Sequence, residues 1–448
     1  MYSLLALCNG DPYRIIPKHI LQLQEPHFTP FHLTACIIFF LAVIHIFFVN
    51  KITAFAETRK GNLFLQESLH FLGEVEVIFA LWGIPLIISV FFFYNWQTAV
   101  DYIMTRNFTE PMFIVVIMTL TATYPIVKLA EDCLNFFAKM MGGSIAVWWF
   151  FLLTLAPLLG SFITEPGAMT LIATLLIRQF YQFHPSSGLA YATIGLLFTN
   201  VSVGGMLTSF AAPPILIISR CWERDTLYMF LHYGWKVVLG IFISTILYLV
   251  FFRKEFQKME EKKQLPLPNT LKKSIPFWIT AVHILFIVWT LFNAAYPAMF
   301  IAGFLLYLGF QIATAPFQQD TGIKKPLLVG LFLAGLILHG GLQGWWIRPL
   351  LSDLSPFSLM TLCAFLTSFN DNAAIVYLAS HIPNLSETLK DAVLSGAMVA
   401  GGLTVIANAP NPAGYVLLKN YFPKGISPLF LLLGALLPTI IFFTLFSI

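Results

Sequence analysis

Charged residues are scarce in this chain. Its 448 residues include 25 lysines and arginines and 21 aspartates and glutamates, so only 10% are charged, against about 25% in an average soluble domain. So few charges cannot cover the surface of a soluble protein of this size, and the composition excludes an ordinary soluble enzyme. The net charge of +4 is small and spread along the chain, so it indicates no nucleic-acid partner.

Cysteines are few, and their spacing excludes two kinds of site. The five cysteines are odd in number and far apart, which fits neither a disulfide framework nor a zinc site. The sequence also lacks the H-E-x-x-H and G-x-S-x-G motifs, and it has no pair of acids on adjacent intact helices that would indicate an intramembrane enzyme. We therefore predict that the protein is not an enzyme and needs no cofactor.

Apolar residues make up 58% of the chain and occur in long runs. A helix that spans a membrane needs about 20 of them. The predicted spans are Thr29–Asn50, Glu74–Tyr94, Pro111–Ala130, Leu189–Ser219, Trp235–Phe252, Pro276–Asn293, Ala298–Ala313, Pro326–Leu342, Ala392–Leu418 and Pro428–Ile448. Two further apolar stretches, Ile145–Tyr181 and Pro349–His381, are interrupted in the middle, and we predict a re-entrant hairpin in each. The predicted class is an all-α, multi-pass integral membrane protein.

One polar segment, residues 253–275, divides the spans into two sets. Its basic residues are Arg253, Lys254, Lys258, Lys262, Lys263, Lys272 and Lys273. A short basic loop is retained in the cytoplasm, so the segment is a cytoplasmic linker. Counting spans outward from it gives five spans and a hairpin on each side, in residues 1–252 and 276–448, with opposite orientations. The charge bias fits a bacterial inner membrane.

The two halves also resemble each other in sequence. Ser161–Ala168 (S-F-I-T-E-P-G-A) aligns with Thr367–Ala374 (T-S-F-N-D-N-A-A), and Gly204–Pro214 aligns with Gly401–Asn411 in the same order. An acid occupies the same place in each hairpin. Inverted repeats with Gly/Pro-interrupted segments at matching positions are typical of secondary transporters, which bind substrate near the midplane.

Helices that cross residues 189–219 and 392–418 are predicted to break, because glycine weakens a helix and proline removes an amide donor. The predicted helix-breaking residues are Gly204, Gly205, Pro213, Gly401, Gly402 and Pro410. Asn370, Asn372, Asn408 and Asn411 lie in or beside the second hairpin and the second break. Their amide oxygens are hard ligands that suit sodium.

Glu165 and Asp371 are the only acids in the middle of apolar segments; Glu74 and Glu76 lie at a predicted helix start, where the helix dipole favours an acid. A charge at the centre of a bilayer costs at least about 2.5–3.5 kcal/mol. Desolvation favours the protonated acid and a bound cation favours the ionised one, so proton and sodium would compete for the same oxygens. We therefore predict an exchange site, with sodium as substrate, at Glu165 and Asp371. The alternative for either acid is a cap on a half-helix, which Pro166 favours for Glu165.

Three motifs carry a resemblance to a known family: T-E-P-G-A-M-T at Thr164–Thr170, N-D-N-A-A at Asn370–Ala374 and N-A-P-N-P-A-G-Y at Asn408–Tyr415. They resemble the family of putative sodium/proton antiporters, a branch of the ion-transporter superfamily that includes NhaD-type antiporters, arsenite permeases and dicarboxylate transporters. The likeness covers most of the chain in organisation, while the motifs occupy about a tenth of it.

The resemblance implies a homodimer in the lipid bilayer, with a scaffold part and a moving part that holds both hairpins and both broken helices. The substrate residues that it implies, by matching position, are Thr164, Glu165, Asn370, Asp371, Asn372, Gly204, Gly205, Ser209, Gly401, Gly402, Asn408 and Asn411. The chain departs from the carboxylate transporters of this fold, because acids replace their S-N-T-type tips. The first break has no asparagine, so two equal ion sites are not expected.

The function predicted from these features is exchange of sodium or lithium for protons by alternating access. The alternative is sodium- or proton-coupled uptake of a carboxylate or inorganic anion, held by half-helix N-termini. No arginine lies in either tip or break to pair with a carboxylate, which favours the antiporter.

Overall fold

A computed structural model describes residues 20, 23, 28–58, 63–219, 221–261, 275–318, 323–343, 345–347, 354–380, 382, 385–423 and 425–448. Throughout these ranges the regular structure is helical and no strand occurs, which confirms the predicted all-α class. The linker residues Lys262, Lys263, Lys272 and Lys273, and positions 348–353 and 381 in and beside the second interrupted stretch, lie outside the described residues.

The first half contains twelve of the helices that we number. They are α1 (Pro30–Glu57), α2 (Leu63–Leu72), α3 (Ile78–Phe93), α4 (Trp96–Met104), α5 (Thr109–Thr121), α6 (Tyr124–Met140), α7 (Ile145–Leu153), α8 (Leu155–Ile163), α9 (Glu165–Gln179), α10 (Ser187–Gly204), α11 (Pro213–Ser219) and α12 (Thr226–Phe251). The first interrupted stretch is thus α7, α8 and α9, and α10 and α11 are the two parts of the first broken helix.

The linker helix and the second half follow. They are α13 (Arg253–Glu261), α14 (Phe277–Phe292), α15 (Pro297–Ala313), α16 (Lys324–Gly340), α17 (Pro356–Thr367), α18 (Asn372–Ser380), α19 (Glu387–Ala400), α20 (Asn411–Leu418) and α21 (Pro428–Ser447). The second interrupted stretch contains α17 and α18, and α19 and α20 are the parts of the second broken helix.

Fewer helical stretches are long enough to cross a membrane than the ten spans predicted. Among the described residues four are long and apolar enough, one of them α7 and α8 taken together, and up to six if two bent pairs each count as one span. The predicted span Pro111–Ala130 is wrong as one helix, because α5 ends at Thr121 and α6 begins at Tyr124. The cause is Pro125, whose ring would clash with the carbonyl of Thr121 in a continuous helix.

The helices form two groups. The first, which we call the scaffold body, consists of α1, α3, α5, α14, α15 and α16, with a core that includes Phe79, Phe113 and Phe332 and extends to Ala373 and Tyr377 of α18. The hairpin body consists of α7–α12 and α17–α21. Within the hairpin body, α9 of the first half packs on α20 of the second, and α18 of the second half packs on α11 of the first. This reciprocal packing brings both hairpins against both breaks.

The first part of the predicted linker is a folded helix, α13, that packs against the hairpin body. In α13, Phe256 and Met259 are buried in the same core as α7 and α9. Glu255 accepts hydrogen bonds from the backbone amide and the hydroxyl of Ser186, at 2.6 and 2.9 Å. Glu260 accepts one from the amide of Ile145 at 2.6 Å. Both acids therefore sit at helix N-termini, which stabilises α7 and α10.

We expect Glu255→Ala to lower the free energy of unfolding by about 0.5–1 kcal/mol, because two hydrogen bonds at the start of α10 are lost from a partly exposed site. The measurement is the thermal unfolding of the protein in detergent. Glu261→Ala is the control, since this acid is exposed at the end of the same helix. Equal melting temperatures for the two variants would contradict the capping role of Glu255.

Candidate functional site

The tip of the first hairpin is a single residue in a strained conformation. Thr164 joins α8 to α9 with φ 63° and ψ 154°, a region that a β-branched residue rarely adopts. The next amide, that of Glu165, donates to the carbonyl of Ala211 in the first break at 3.2 Å. Such strain persists only where the surroundings impose it, and it clusters at functional sites.

Glu165 is the first residue of α9, and its side chain is fully buried. One carboxylate oxygen, Oε2, accepts a hydrogen bond from Nδ2 of Asn408 in the second break at 3.1 Å. The other, Oε1, has no hydrogen-bond partner. A carboxylate from the first half is thus held by an amide from the second half and keeps one oxygen free.

Gly205 is the reason that Glu165 fits in this position. A Cβ atom added to Gly205 would lie 2.7 Å from Cγ and 2.7 Å from Oε1 of Glu165, which is closer than packed atoms approach. The sequence predicted that this glycine weakens a helix. In the structure it also permits the backbone of the first break to pass directly beside the acid.

Asp371, at the tip of the second hairpin, has a different environment. Its Oδ1 accepts a hydrogen bond from the amide of Ala373 at 2.8 Å, and the amides of Ala374 and Ala409 also interact with the carboxylate. Its own amide donates to Oδ1 of Asn370 at 2.9 Å. Asp371 therefore caps the start of α18 and also reaches the second break.

Each hairpin is fastened to the break in its own half by similar hydrogen bonds. The hydroxyl of Thr208 donates to the carbonyl of Ser161 at 2.8 Å, and that of Thr404 donates to the carbonyl of Ser368 at 2.9 Å. The amide of Asn372 donates to the carbonyl of Ala407 at 3.1 Å, as that of Glu165 does in the first half. The two halves therefore make the same kinds of contact, but the residues involved are displaced by one position from the pairs in the sequence alignment.

Several buried oxygens around the breaks have no hydrogen-bond partner. Besides Oε1 of Glu165, they include Oδ1 of Asn372, Asn408 and Asn411, in side chains that are each at most 1% exposed. An unpaired buried oxygen costs about 1–3 kcal/mol, so four in one region require a reason. One carboxylate and three amide oxygens are the ligand chemistry that hard cations prefer.

Two cavities with different linings lie near this region. The larger has a volume of about 1220 Å³ and reaches Thr164 and Pro166 at the first tip and Ala409 at the second break. Charged residues on its walls are Glu57, Glu74, Glu76, Glu131, Arg178, Lys324, Lys325 and Lys419. The smaller, about 390 Å³, is lined by Glu110, Ser209 and Thr226. The residues on either side of Glu165 thus line a large cavity, while Glu165 itself is buried behind its wall.

Comparison with known families agrees with this geometry. A family model described as "Putative Na+/H+ antiporter" matches residues 30–448. The chain belongs to this antiporter family. No curated protein matches it. Family membership supports a membrane transporter rather than an enzyme, with a cation and protons as its substrates.

In this member of the antiporter family, the predicted site residues fall into four groups. Glu165 and Asn408 are in direct contact, and Asn372 and Asn411, at the second tip and second break, have buried Oδ1 atoms without a hydrogen-bond partner. Asp371 and Asn370 are bonded to the backbone of the second tip. Ser209 lies apart, because its hydroxyl is 3.0 Å from that of Thr226 at the smaller cavity. Thr164 contributes its backbone conformation, and its hydroxyl lies 3.5 Å from that of Thr121.

The sequence reasoning missed some polar residues that join the hairpins to the breaks. The hydroxyl of Ser161 donates to the carbonyl of Gly204 at 2.6 Å and accepts from the amide of Leu207 at 3.1 Å. Its counterpart, Thr367, is fully buried and its hydroxyl has no partner. The signal was present in the repeat alignment, where Ser161 and Thr367 occupy the same position. Among the described residues, no group of three or more His, Cys, Asp or Glu side chains could hold a metal ion.

Proposed function

We propose that this protein exchanges sodium for protons across a membrane and that Glu165 is the carboxylate for which the two ions compete. The observation that carries the proposal is the free Oε1 of a fully buried glutamate whose other oxygen is held by Asn408. Membership of the antiporter family supports the class of reaction. Lithium, a smaller hard cation, would use the same oxygens.

The chemistry follows from the cost of a buried charge. An ionised Glu165 with no counter-ion is costly at membrane depth. Binding a proton or a sodium ion neutralises that charge. The hairpin body can therefore move when Glu165 carries either ion, and it cannot move when Glu165 is ionised and carries neither. The free oxygens of Asn372, Asn408 and Asn411 would coordinate sodium with Glu165, and they would release it when the carboxylate is protonated.

Asp371 has a second role in this proposal. Backbone amides donate to its carboxylate, and together with the start of α18 they offset part of the cost of burying its charge. We therefore assign to Asp371 the role of a carboxylate that caps α18 and attracts the cation, and not that of the acid for which the two ions compete. This division of roles also explains why the two half-sites are unequal, since the free acid comes from the first tip and the free amide oxygens come from the second tip and second break.

The arrangement of the two bodies suggests how access alternates. The hairpin body would move against the scaffold body and open Glu165 to one side at a time. The reciprocal packing of hairpins and breaks supports two inverted repeats. The basic residues on the larger cavity, including Lys324 and Lys419, support a cytoplasmic opening in this state and a bacterial inner membrane. We further propose that the protein works as a homodimer.

The experiment uses purified protein in liposomes with a pH dye inside. After a proton gradient is imposed, external sodium or lithium should change the interior pH, and potassium and a dicarboxylate should not. Glu131→Gln is the matched control for Glu165→Gln, because Glu131 lines the larger cavity but pairs with Lys128 at 3.7 Å. Coupled uptake of the dicarboxylate without cation-driven proton movement would replace the proposal with the anion carrier.

A further inference from the structure

Glu76 is an acid of the scaffold body that faces the proposed site. It lies on a 3₁₀ turn, Val75–Val77, directly before α3. Its side chain is half-buried and lines the same cavity that reaches Thr164 and Ala409. Glu76 is thus a scaffold carboxylate on the wall of the cavity that reaches the first tip and the second break.

Packing places Glu76 close to the second tip. The turn that carries it contacts α16, and α16 in turn contacts α18, which begins directly after Asp371. The contact between α16 and α18 is tight, since the hydroxyl of Tyr377 donates to the carbonyl of Ile337 at 3.3 Å. Glu76 and Asp371 are near enough to interact electrostatically.

The charges around Glu76 do not all act alike. Glu74 lies 3.8 Å from Lys324 in an exposed ion pair, and such a pair has little effect at a distance. The positive charge of Lys325 interacts with Glu76 and favours its ionised form. Glu76 is half-buried, so its field toward the tips is less screened by water than that of a fully exposed acid.

We propose that Glu76 makes the site bind sodium more tightly when it faces the larger cavity than when it faces the other side. This inference rests on the proposed exchange and on movement of the hairpin body past the scaffold. In the state described, the negative charge of Glu76 attracts a cation to Glu165 and Asp371. After the hairpin body moves, Glu76 stays with the scaffold and the attraction is lost. The exchanger then binds sodium well on the cytoplasmic side and releases it on the opposite side.

The test measures the apparent KM for sodium separately on each face, in liposomes with the protein in a single orientation. Glu76→Gln should raise the KM on the cytoplasmic face by about threefold to tenfold and leave the KM on the opposite face unchanged. Glu74→Gln is the control, because it removes an acid from the same cavity wall that is already paired with Lys324. It should change neither KM.

Three outcomes would overturn the inference: no change in Glu76→Gln, an equal change on both faces, or the same change in Glu74→Gln. Failure of the proposed function is distinguishable, because wild-type protein would then show no sodium-driven proton movement on either face. If Glu76→Gln unfolds, Glu76→Asp serves instead. It retains the charge and should keep the wild-type difference in KM between the two faces.

Discussion

Glu165→Gln should abolish sodium-driven proton movement and reduce it to the level of protein-free liposomes. Glutamine retains the size of the side chain and can still bond with Asn408, but it cannot exchange a proton or carry the charge that attracts sodium. The fold should persist, because a neutral amide replaces a carboxylate that is costly to bury. The measurement is the pH-dye assay, with thermal unfolding in detergent as the check on folding.

Asp371→Asn is the informative comparison for this variant. Asparagine caps helices about as well as aspartate, so the bonds to Ala373 and the second break should survive. We expect exchange to continue with a higher KM for sodium, because a carboxylate that attracts the cation is lost beside the site. Loss of exchange in Asp371→Asn with retention in Glu165→Gln would reverse the roles that we assign to the two acids.

Gly205→Ala should reduce exchange by about 100-fold, as misplacement of a reacting group by about 1 Å can do. The added methyl group would overlap Cγ and Oε1 of Glu165, so the acid must leave its place beside Asn408. The overlap is with the end of a flexible side chain and not with backbone, and we therefore expect the protein to fold. The measurement is the initial rate of exchange in liposomes at saturating sodium.

Gly309→Ala is the matched control for this substitution. Gly309 lies within α15, and an added Cβ would meet no atom within 4 Å. Alanine in a helix is more stable than glycine by about 0.5–1 kcal/mol, so this variant should exchange at the wild-type rate with unchanged or higher stability. Equal rates for Gly205→Ala and wild type would show that the position of Glu165 beside Gly205 is not required.

Much of the fold was predictable because composition and local chemistry decide it. The scarcity of charge and the long apolar runs predicted an all-α membrane protein. Pro166 and the residues around it predicted an interruption, and the structure turns the chain at Thr164. The end of α5 at Thr121 was missed, although Pro125 carried the signal, because hydropathy continues across the break and length alone was used to place the span.

The arrangement of the site was less predictable, because it depends on contacts between the two halves. From sequence, both acids were predicted at the exchange site, with a helix cap as the alternative for either and Pro166 as an argument for the cap at Glu165. In the structure Asp371 has the backbone donors, while Glu165 contacts Asn408, 243 residues away in the chain. Neither the spacing of residues in the sequence nor their helix propensity predicts a contact between residues so far apart in the chain. The close approach of Gly205 to Glu165 was hidden for the same reason.

Proton release on sodium binding tests the central claim most directly. Purified protein in weakly buffered detergent solution is titrated with sodium chloride, with choline chloride as the salt control, and the pH is followed with a dye. At a pH where Glu165 is protonated, the account predicts that sodium releases protons from wild type and from Asp371→Asn but not from Glu165→Gln. Undiminished proton release from Glu165→Gln would contradict competition of the two ions for this carboxylate.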